Sequence, residues 1–110
     1  MLEGFVKVAT LADLVEGEML GVSIEGEDIC IARIDGEIYA IGNRCTHAYA
    51  MLSDGEFFPE QREVQCPMHD SLFSLETGQP TCLPAEIAVP TYAVRIDGDE
   101  VLVGPKAAGG

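Results

Sequence analysis

Two short segments of the chain combine a cysteine with a histidine. Cys45 and His47 are two residues apart in CTHAYAMLSDG, and Cys66 and His69 are three apart in CPMHDSLF. Thiolate and imidazole are the usual protein ligands of zinc and of iron in metal clusters, and the chain has no other histidine. The two pairs therefore predict one metal site built from two loops, with Cys45, His47, Cys66 and His69 as its ligands.

The local sequence allows each pair to face a single point. Residues i and i+2 of an extended segment project to the same side, which brings Cys45 and His47 together. Pro67 presets the φ angle of the second position of a β-turn, and the ends of such a turn lie within about 7 Å. Cys66 and His69 can therefore converge as well.

Two kinds of metal site fit these four ligands. Two thiolates and two imidazoles bind a structural zinc ion in tetrahedral geometry. Zinc sites, however, usually pair cysteine with cysteine and histidine with histidine along the chain. Mixed Cys/His loops suit a two-iron cluster whose irons have different ligands. The spacing favours the iron–sulfur cluster and leaves a zinc-stabilised interaction module as an alternative.

With these motifs, the sequence resembles the Rieske ferredoxins, the electron-transfer components of bacterial aromatic-ring-hydroxylating dioxygenase systems. The resemblance spans nearly the whole chain and rests on C-x-H, a spacer and C-x-x-H, with LSDG after the first pair and LFSLETG after the second. It implies one Rieske 2Fe-2S cluster, with Cys45 and Cys66 on the inner iron and His47 and His69 on the outer one. It also implies that GQPTCLPAE forms a third loop that covers the cluster.

Two departures separate the chain from other proteins with this motif. Respiratory-chain Rieske subunits have two further cysteines that join the cluster loops by a disulfide, and Ala50 and Met68 stand at the matching positions. Oxygenase α-subunits add a mononuclear iron site, for which this chain has no histidine left. Without the disulfide, we expect the two loops to depend on the cluster for their order.

Residues beside the loops are expected to set the reduction potential. Two neutral imidazoles in place of two thiolates raise the potential above that of an all-cysteine cluster. The negative charges of Asp54, Glu56 and Asp70 oppose reduction, so we expect a value at the low end of the Rieske range. Ser71 is either a hydrogen-bond donor to the cluster, as the resemblance implies, or a solvent-facing turn serine. Phe73 replaces a tyrosine of the respiratory subunits.

The composition limits the classes of function. The chain has 110 residues, 47% of them hydrophobic, which suffices for one domain with its own core. Its formal net charge is −13, so we expect no nucleic-acid partner; the acidity serves solubility or docking onto basic proteins. The chain has neither a signal-peptide pattern nor an apolar run of membrane-spanning length, so we expect a cytoplasmic location and no membrane association. In that reducing compartment Cys30 and Cys82 are expected to be inert thiols.

Short apolar runs broken by glycine-containing turns predict an all-β fold. The predicted strands are FVKVA, EMLGVSI, DICIARI, EIYAIG, REVQC, SLFSL, TYAVRI and EVLVG. Asp35-Gly36 and Asp97-Gly98 predict hairpin turns, and TLADL predicts about one helical turn capped by Thr10. We interpret the chain, 1–110, as a single Rieske domain. Residues 1–42 and 85–105 would form an antiparallel β-sandwich-like scaffold, with a cluster-binding subdomain of loops and short strands, about 43–84, inserted in it.

The expected function is one-electron transfer from an NADH-dependent flavoprotein reductase to a terminal Rieske non-haem iron oxygenase of aromatic hydrocarbon catabolism. These partners follow from the resemblance alone. The chain is expected to be a monomer and no enzyme by itself. The alternative within the same fold is a small subunit of a permanent redox complex, similar to that of a nitrite reductase.

Overall fold

The computed structural model describes residues 4–24, 26–45, 50–68, 71–82 and 88–106. Within them, the regular elements are strands and one 3-10 turn, Leu52–Asp54. The strands are β1 (Val6–Thr10), β2 (Met19–Ile24), β3 (Glu27–Ile34), β4 (Glu37–Gly42), β5 (Phe57–Phe58), β6 (Glu63–Gln65), β7 (Leu72–Ser74), β8 (Pro80–Cys82), β9 (Tyr92–Asp97) and β10 (Glu100–Lys106). The all-β prediction is confirmed, and all eight predicted strands are present. The short strands β5 and β8 were not predicted.

The strands form three antiparallel sheets. The first sheet has the order β1-β10-β9, the middle sheet β2-β3-β4 and the third sheet β5-β6-β7-β8. Strand β3 is buried on both faces, since Ile29 and Ile31 belong to one core while Cys30 and Ala32 belong to another. Successive side chains of a strand point to opposite faces, so the middle sheet separates two cores. This double burial explains why DICIARI has an almost continuous apolar run.

The two cores have different compositions. The scaffold core lies between the first and middle sheets and consists of Ala9, Leu14, Ile29, Ile31, Ala40, Tyr92, Val101 and Val103. The site core lies on the opposite face of the middle sheet and consists of Cys30, Ala32, Ile34, Ile41, Cys45, Leu52, Val64, Cys66, Phe73, Leu75 and Val89. Each fully buried large apolar side chain contributes about 1.5–3 kcal/mol. The packing of the first sheet on the middle sheet confirms the sandwich-like scaffold.

Both predicted hairpin turns are present. Asp35 and Gly36 have positive φ angles of 53° and 80° and connect Ile34 to its partner Glu37, as in a type I′ turn. The Glu16 carboxylate accepts hydrogen bonds from the N–H groups of both turn residues, at 2.6 and 2.9 Å. At the other turn, Gly98 has a φ of 64° between the paired ends of β9 and β10.

The predicted helical turn at TLADL is wrong. The structure has two successive hydrogen-bonded turns there, closed by Asp13 N–H to Thr10 O and by Leu14 N–H to Leu11 O. Thr10 does not act as the cap: its N–H and its hydroxyl both donate to the Asp13 carboxylate, at 3.2 and 2.9 Å. A single turn gains too few hydrogen bonds to form a stable helix, and here burial of Leu14 in the scaffold core fixes the segment.

The third sheet is tied to the middle sheet through Arg62. This residue ends the β5–β6 turn with a φ of 55°. Its guanidinium donates to the Tyr39 hydroxyl at 3.2 Å and pairs with Asp35 at 3.1 Å. The whole third sheet falls within 57–82, and the division of the chain into scaffold and cluster-binding subdomain stays a prediction. Helices long and apolar enough to cross a bilayer are absent from the described ranges.

Candidate metal centre

The structure places two of the four predicted ligands. Cys45 and Cys66 are 4% and 1% exposed, and both belong to the site core. His47 and His69 lie outside the described residues, as does Asp70. The two cysteines, which are 21 positions apart in the sequence, are thus brought into one buried cluster.

The first loop spans residues 43–55, and its two described arms, 43–45 and 50–55, pair with each other after the end of β4. Arg44 and Met51 form a β-bridge, and Cys45 N–H donates to the Ala50 carbonyl at 2.9 Å. The loop then passes through the 3-10 turn at Leu52, whose side chain is fully buried in the site core. Cys45 is therefore held by backbone pairing and does not rest on a free loop end.

The second loop, residues 66–71, is closed in a similar way by the β6–β7 hairpin. Cys66 N–H donates to the Ser71 carbonyl at 3.0 Å, one step beyond the pair Gln65 and Leu72. Ser71 is fully buried, so its interpretation as a solvent-facing serine is wrong. Phe73 is also fully buried, in the same site core as Cys45 and Cys66.

The end of the first loop closely approaches the entrance of the second loop. Gln65 N–H, at the entrance of the second loop, donates to the Glu56 carbonyl at 2.8 Å, just after the first loop. At Gly55 an added Cβ would overlap with the Gln65 carbonyl oxygen and would lie 3.1 Å from Pro67 Cδ. Glycine is therefore required by close approach of the chain. This backbone junction helps to hold the two loops together, in addition to the order that we expect the cluster to provide.

Ala50 and Met68, which replace the two disulfide-forming cysteines of the respiratory subunits, differ in exposure. Ala50 is half-buried and packs against the site core, whereas Met68 is 66% exposed. The Met68 side chain thus contributes an apolar surface at the tip of the second loop.

The third loop is described only in part. At its start, Val89 N–H donates to the Gly78 carbonyl at 2.9 Å, and the Ser74 hydroxyl accepts from the N–H groups of Glu76 and Thr77. These contacts place Val89, which is fully buried, in the site core. Residues 83–87 lie outside the described ranges, and of Cys82 only the backbone, in β8, is described.

The surface beside the two loops is mainly acidic. A groove of about 430 Å³ runs between them and is lined by Asp54, Gly55, Glu56, Gln65, Cys66, Pro67 and Met68. Asp54 also lines a smaller groove of about 260 Å³ with Arg44 on the other side of the first loop. Arg44 lies 3.7 Å from Asp28, and its side chain is 60% exposed. The surface therefore combines two exposed carboxylates, one guanidinium and the apolar tip of Met68.

Cys30 provides an internal contrast with the two predicted ligands. It is fully buried in the same site core, and its Sγ lies 3.7 Å from Met19 Sδ. Burial raises the pKa of its thiol to about 12, so the reactive thiolate is nearly absent at neutral pH. These properties fit the prediction of an inert thiol.

The two described cysteines fit the role of thiolate ligands of a metal cluster. Two thiols from separate, mutually joined loops are buried in one apolar core, an environment that suits thiolate ligands shielded from water. The described part of the chain does not include His47 or His69. Within it, no group of three or more possible metal ligands is found.

Sequence reasoning missed two residues that shape the site. Asn43 precedes the first Cys/His pair and is buried, and Gly55 allows the two loops to touch. The only sequence signal was the polar, glycine-containing composition of the segments around them.

Similar proteins are known for nearly the whole chain. The Rieske [2Fe-2S] domain family matches residues 4–93. The ferredoxin component of a naphthalene 1,2-dioxygenase system from Pseudomonas aeruginosa is 40% identical over 103 residues, which cover 94% of this chain and 97% of that protein.

Two solved structures are similar over nearly the whole chain. The ferredoxin of carbazole 1,9a-dioxygenase from Nocardioides aromaticivorans IC177 has a TM-score of 0.90 at 40% identity and covers 94% of this chain and 100% of its own. The second is a complex of reduced oxygenase and oxidised ferredoxin in carbazole 1,9a-dioxygenase. A chain of that complex has a TM-score of 0.85 at 27% identity, covering 93% of this chain and 94% of its own.

Proposed function

The chain belongs to the Rieske [2Fe-2S] domain family, and from this premise we propose that it is the ferredoxin component of an aromatic-ring-hydroxylating dioxygenase system. In this role it carries single electrons to a terminal oxygenase and is not a catalyst by itself. The observation that carries the proposal is the burial of Cys45 and Cys66, from two separate loops, in one core.

The chain carries one Rieske 2Fe-2S cluster. We infer that Cys45 and Cys66 hold its inner iron and that His47 and His69 hold the outer one. When bound, the cluster takes up and releases one electron. The buried cysteines and the joined loops support this ligand set.

The residues around the ligands exclude water and hold the loops. Phe73, Leu75 and Val89 pack in the same core as both cysteines, which lowers the local dielectric constant. The Gly55 junction keeps the two loops together without a disulfide. A small rearrangement on electron transfer is expected because Cys45 and Cys66 lie on paired backbone segments.

The acidic surface supports docking onto basic partners. Asp54 and Glu56 are exposed beside the loops, and opposite charges accelerate encounter between proteins at low salt. We propose an NADH-dependent flavoprotein reductase as electron donor and a terminal Rieske oxygenase as acceptor, with the cytoplasm as the compartment and a monomer as the working state. The carbazole dioxygenase complex supports the oxygenase as a partner.

Three measurements test this proposal and its alternative. Protein purified from iron-replete cells is expected to contain two iron and two acid-labile sulfide per chain, whereas stoichiometric zinc without iron would contradict the proposal. With purified reductase and oxygenase of a naphthalene dioxygenase system, substrate-dependent oxygen uptake should require this chain. Copurification with one fixed partner at constant stoichiometry would instead favour a permanent redox complex.

A further inference from the structure

A single buried amide holds the base of the first loop. Asn43 is 5% exposed, and only Ser71 is another buried polar side chain in the described ranges. The Asn43 Oδ1 accepts a hydrogen bond from Ser53 N–H at 2.8 Å, and its Nδ2 donates to the Ser53 hydroxyl at 2.9 Å. A backbone N–H can only donate, so Oδ1 must face it and the orientation of the amide is fixed. Together, Asn43 and Ser53 form the amide latch.

The backbone of Asn43 extends the latch into the middle sheet. Its N–H donates to the Asp28 carbonyl at 2.9 Å, and its carbonyl accepts from Leu52 N–H at 2.6 Å. Asn43 therefore links β3 to both arms of the first loop. Cys45 follows two residues later, where its own N–H makes the next bond across the loop, to Ala50. A displacement of Asn43 is transmitted to Cys45 through two peptide units.

Strand β2 is shaped to receive the latch. Gly21, which pairs with Cys30, leaves the space that Asn43 and Ser53 occupy. A Cβ at residue 21 would lie 2.6 Å from Ser53 Oγ and 2.9 Å from Asn43 Nδ2. Since both distances are shorter than normal van der Waals contact, any side chain at this position would displace the latch.

We propose that the amide latch is a positioning device for Cys45 that sets the reduction potential. It holds the first loop closed on the site core and keeps water away from Cys45. Reduction adds negative charge, which water stabilises better than an apolar core, so a closed loop keeps the potential low. This inference rests on the proposed role of Cys45 as a cluster ligand.

The first test uses the cluster-loaded protein and the variants Asn43→Ala and Ser53→Ala, singly and together. Tyr92→Phe is the matched control, because Tyr92 belongs to the scaffold core and the substitution deletes its hydrogen bond of 3.0 Å to Glu27. Hydrogen exchange followed by mass spectrometry should show amides of the 50–56 peptide exchanging about tenfold faster in the latch variants. The control should leave this peptide unchanged.

The reduction potential of the cluster is measured in the same proteins. All proteins are held at the solution potential at which the natural protein is half reduced. At this potential, the ratio of reduced to oxidised protein should be about threefold higher in the latch variants than in the natural protein. This ratio corresponds to about 28 mV for a one-electron couple. The double variant should match the single variants because the two side chains act as one unit.

Gly21→Ala provides an independent variant, in which the latch keeps both of its polar groups and is displaced from the β2 side. It should raise the reduced fraction in the same direction, and it keeps the test decisive if Asn43→Ala does not accumulate as folded protein.

A purely structural latch would overturn the proposal. In that case the latch variants lower the thermal midpoint, as Tyr92→Phe does, while the reduced fraction stays unchanged or falls. Failure of the proposed function differs from this result, since the natural protein itself would then lack iron and sulfide. The exchange measurement does not depend on electron transfer and remains readable in either case.

Discussion

The scaffold core and the site core lie on opposite faces of one sheet and are built differently. The scaffold core is bounded by strands of five to eight residues and by hairpin turns with open space around their glycines. Strands β3 and β4 form one side of the site core. Its other side is formed by strands of two or three residues, by loops and by one 3-10 turn. Hydrophobic burial therefore fixes the first region, whereas close backbone contacts position the second.

The glycines show this difference directly. Gly36 and Gly98 are needed for their positive φ angles, and nothing lies within 4 Å of an added Cβ. Gly21 and Gly55 have no such angle, and an added Cβ would meet the atoms of the first or second loop. At these four positions, glycine serves backbone torsion in the scaffold hairpins and close approach beside the first and second loops.

The largest expected effect is loss of the cluster, which should distinguish Cys45 and Cys66 from Cys30, the other described buried cysteine. Cys45→Ala and Cys66→Ala should each abolish the cluster, because each removes a proposed ligand that no neighbour replaces. Cys30→Ala should retain it, at a cost of about 1–2 kcal/mol for the lost buried sulfur. Iron, sulfide and the visible spectrum measure the outcome. Full cluster content in Cys66→Ala, or its loss in Cys30→Ala, would contradict the assignment.

The second prediction compares the glycines. Gly55→Ala should destabilise the protein by about 3 kcal/mol and hasten cluster loss, because the new Cβ forces the two loops apart. Gly36→Ala should cost about 1 kcal/mol through backbone torsion and leave the lifetime of the cluster unchanged. Urea unfolding gives the free energies, and bleaching of the visible absorbance gives the lifetimes. Equal lifetimes in the two variants would mean that the Gly55 junction does not hold the site.

The third prediction concerns alkaline pH. Burial raises the pKa of Cys30 from 9.0 to about 12, so its protonated form contributes stability that is complete below pH 9.0 and is lost as pH rises toward 12. Across this window the free energy of unfolding should fall by about 1.4 kcal/mol per pH unit. Between about pH 8 and about pH 10.5, the free energy of unfolding measured in urea should fall less for Cys30→Ala than for the natural protein. Parallel curves for both proteins would show that another group governs the alkaline limit.

The smallest expected effect concerns docking. Asp54→Lys should slow reduction by the flavoprotein reductase about fivefold at low salt and flatten the salt dependence, because this exposed carboxylate borders both grooves beside the loops. Asp97→Lys makes the same charge change on the β9–β10 hairpin and should have little effect. Stopped-flow kinetics at several salt concentrations compare the two. Identical rates for both variants would place the docking surface elsewhere.

The sequence predicted the scaffold more completely than the site. Alternating and continuous apolar runs, with Asp-Gly turns between them, were sufficient to identify eight of the ten described strands. Strand β5 was missed because its two residues carry too little pattern, and β8 was missed because Pro80 argues against a strand. Their pairing depends on neighbouring strands.

At the site, the motif predicted Cys45 and Cys66 as ligands, but it did not reveal which residues hold them in place. The roles of Asn43 and Gly55 arise from contacts with Ser53 and Gln65, which are distant enough in sequence that no local rule predicts them. The burial of Ser71 was equally hidden, since a serine after a loop is more often exposed.

Pulsed electron paramagnetic resonance of the reduced protein, grown with ¹⁵N-labelled histidine, tests whether histidines bind the cluster. The chain contains two histidines, His47 and His69, so the label reports on these residues alone. The proposed Rieske centre predicts two histidine nitrogens coupled to the reduced cluster, and replacement of either histidine should remove one coupling. A reduced cluster without any histidine coupling would contradict the assignment.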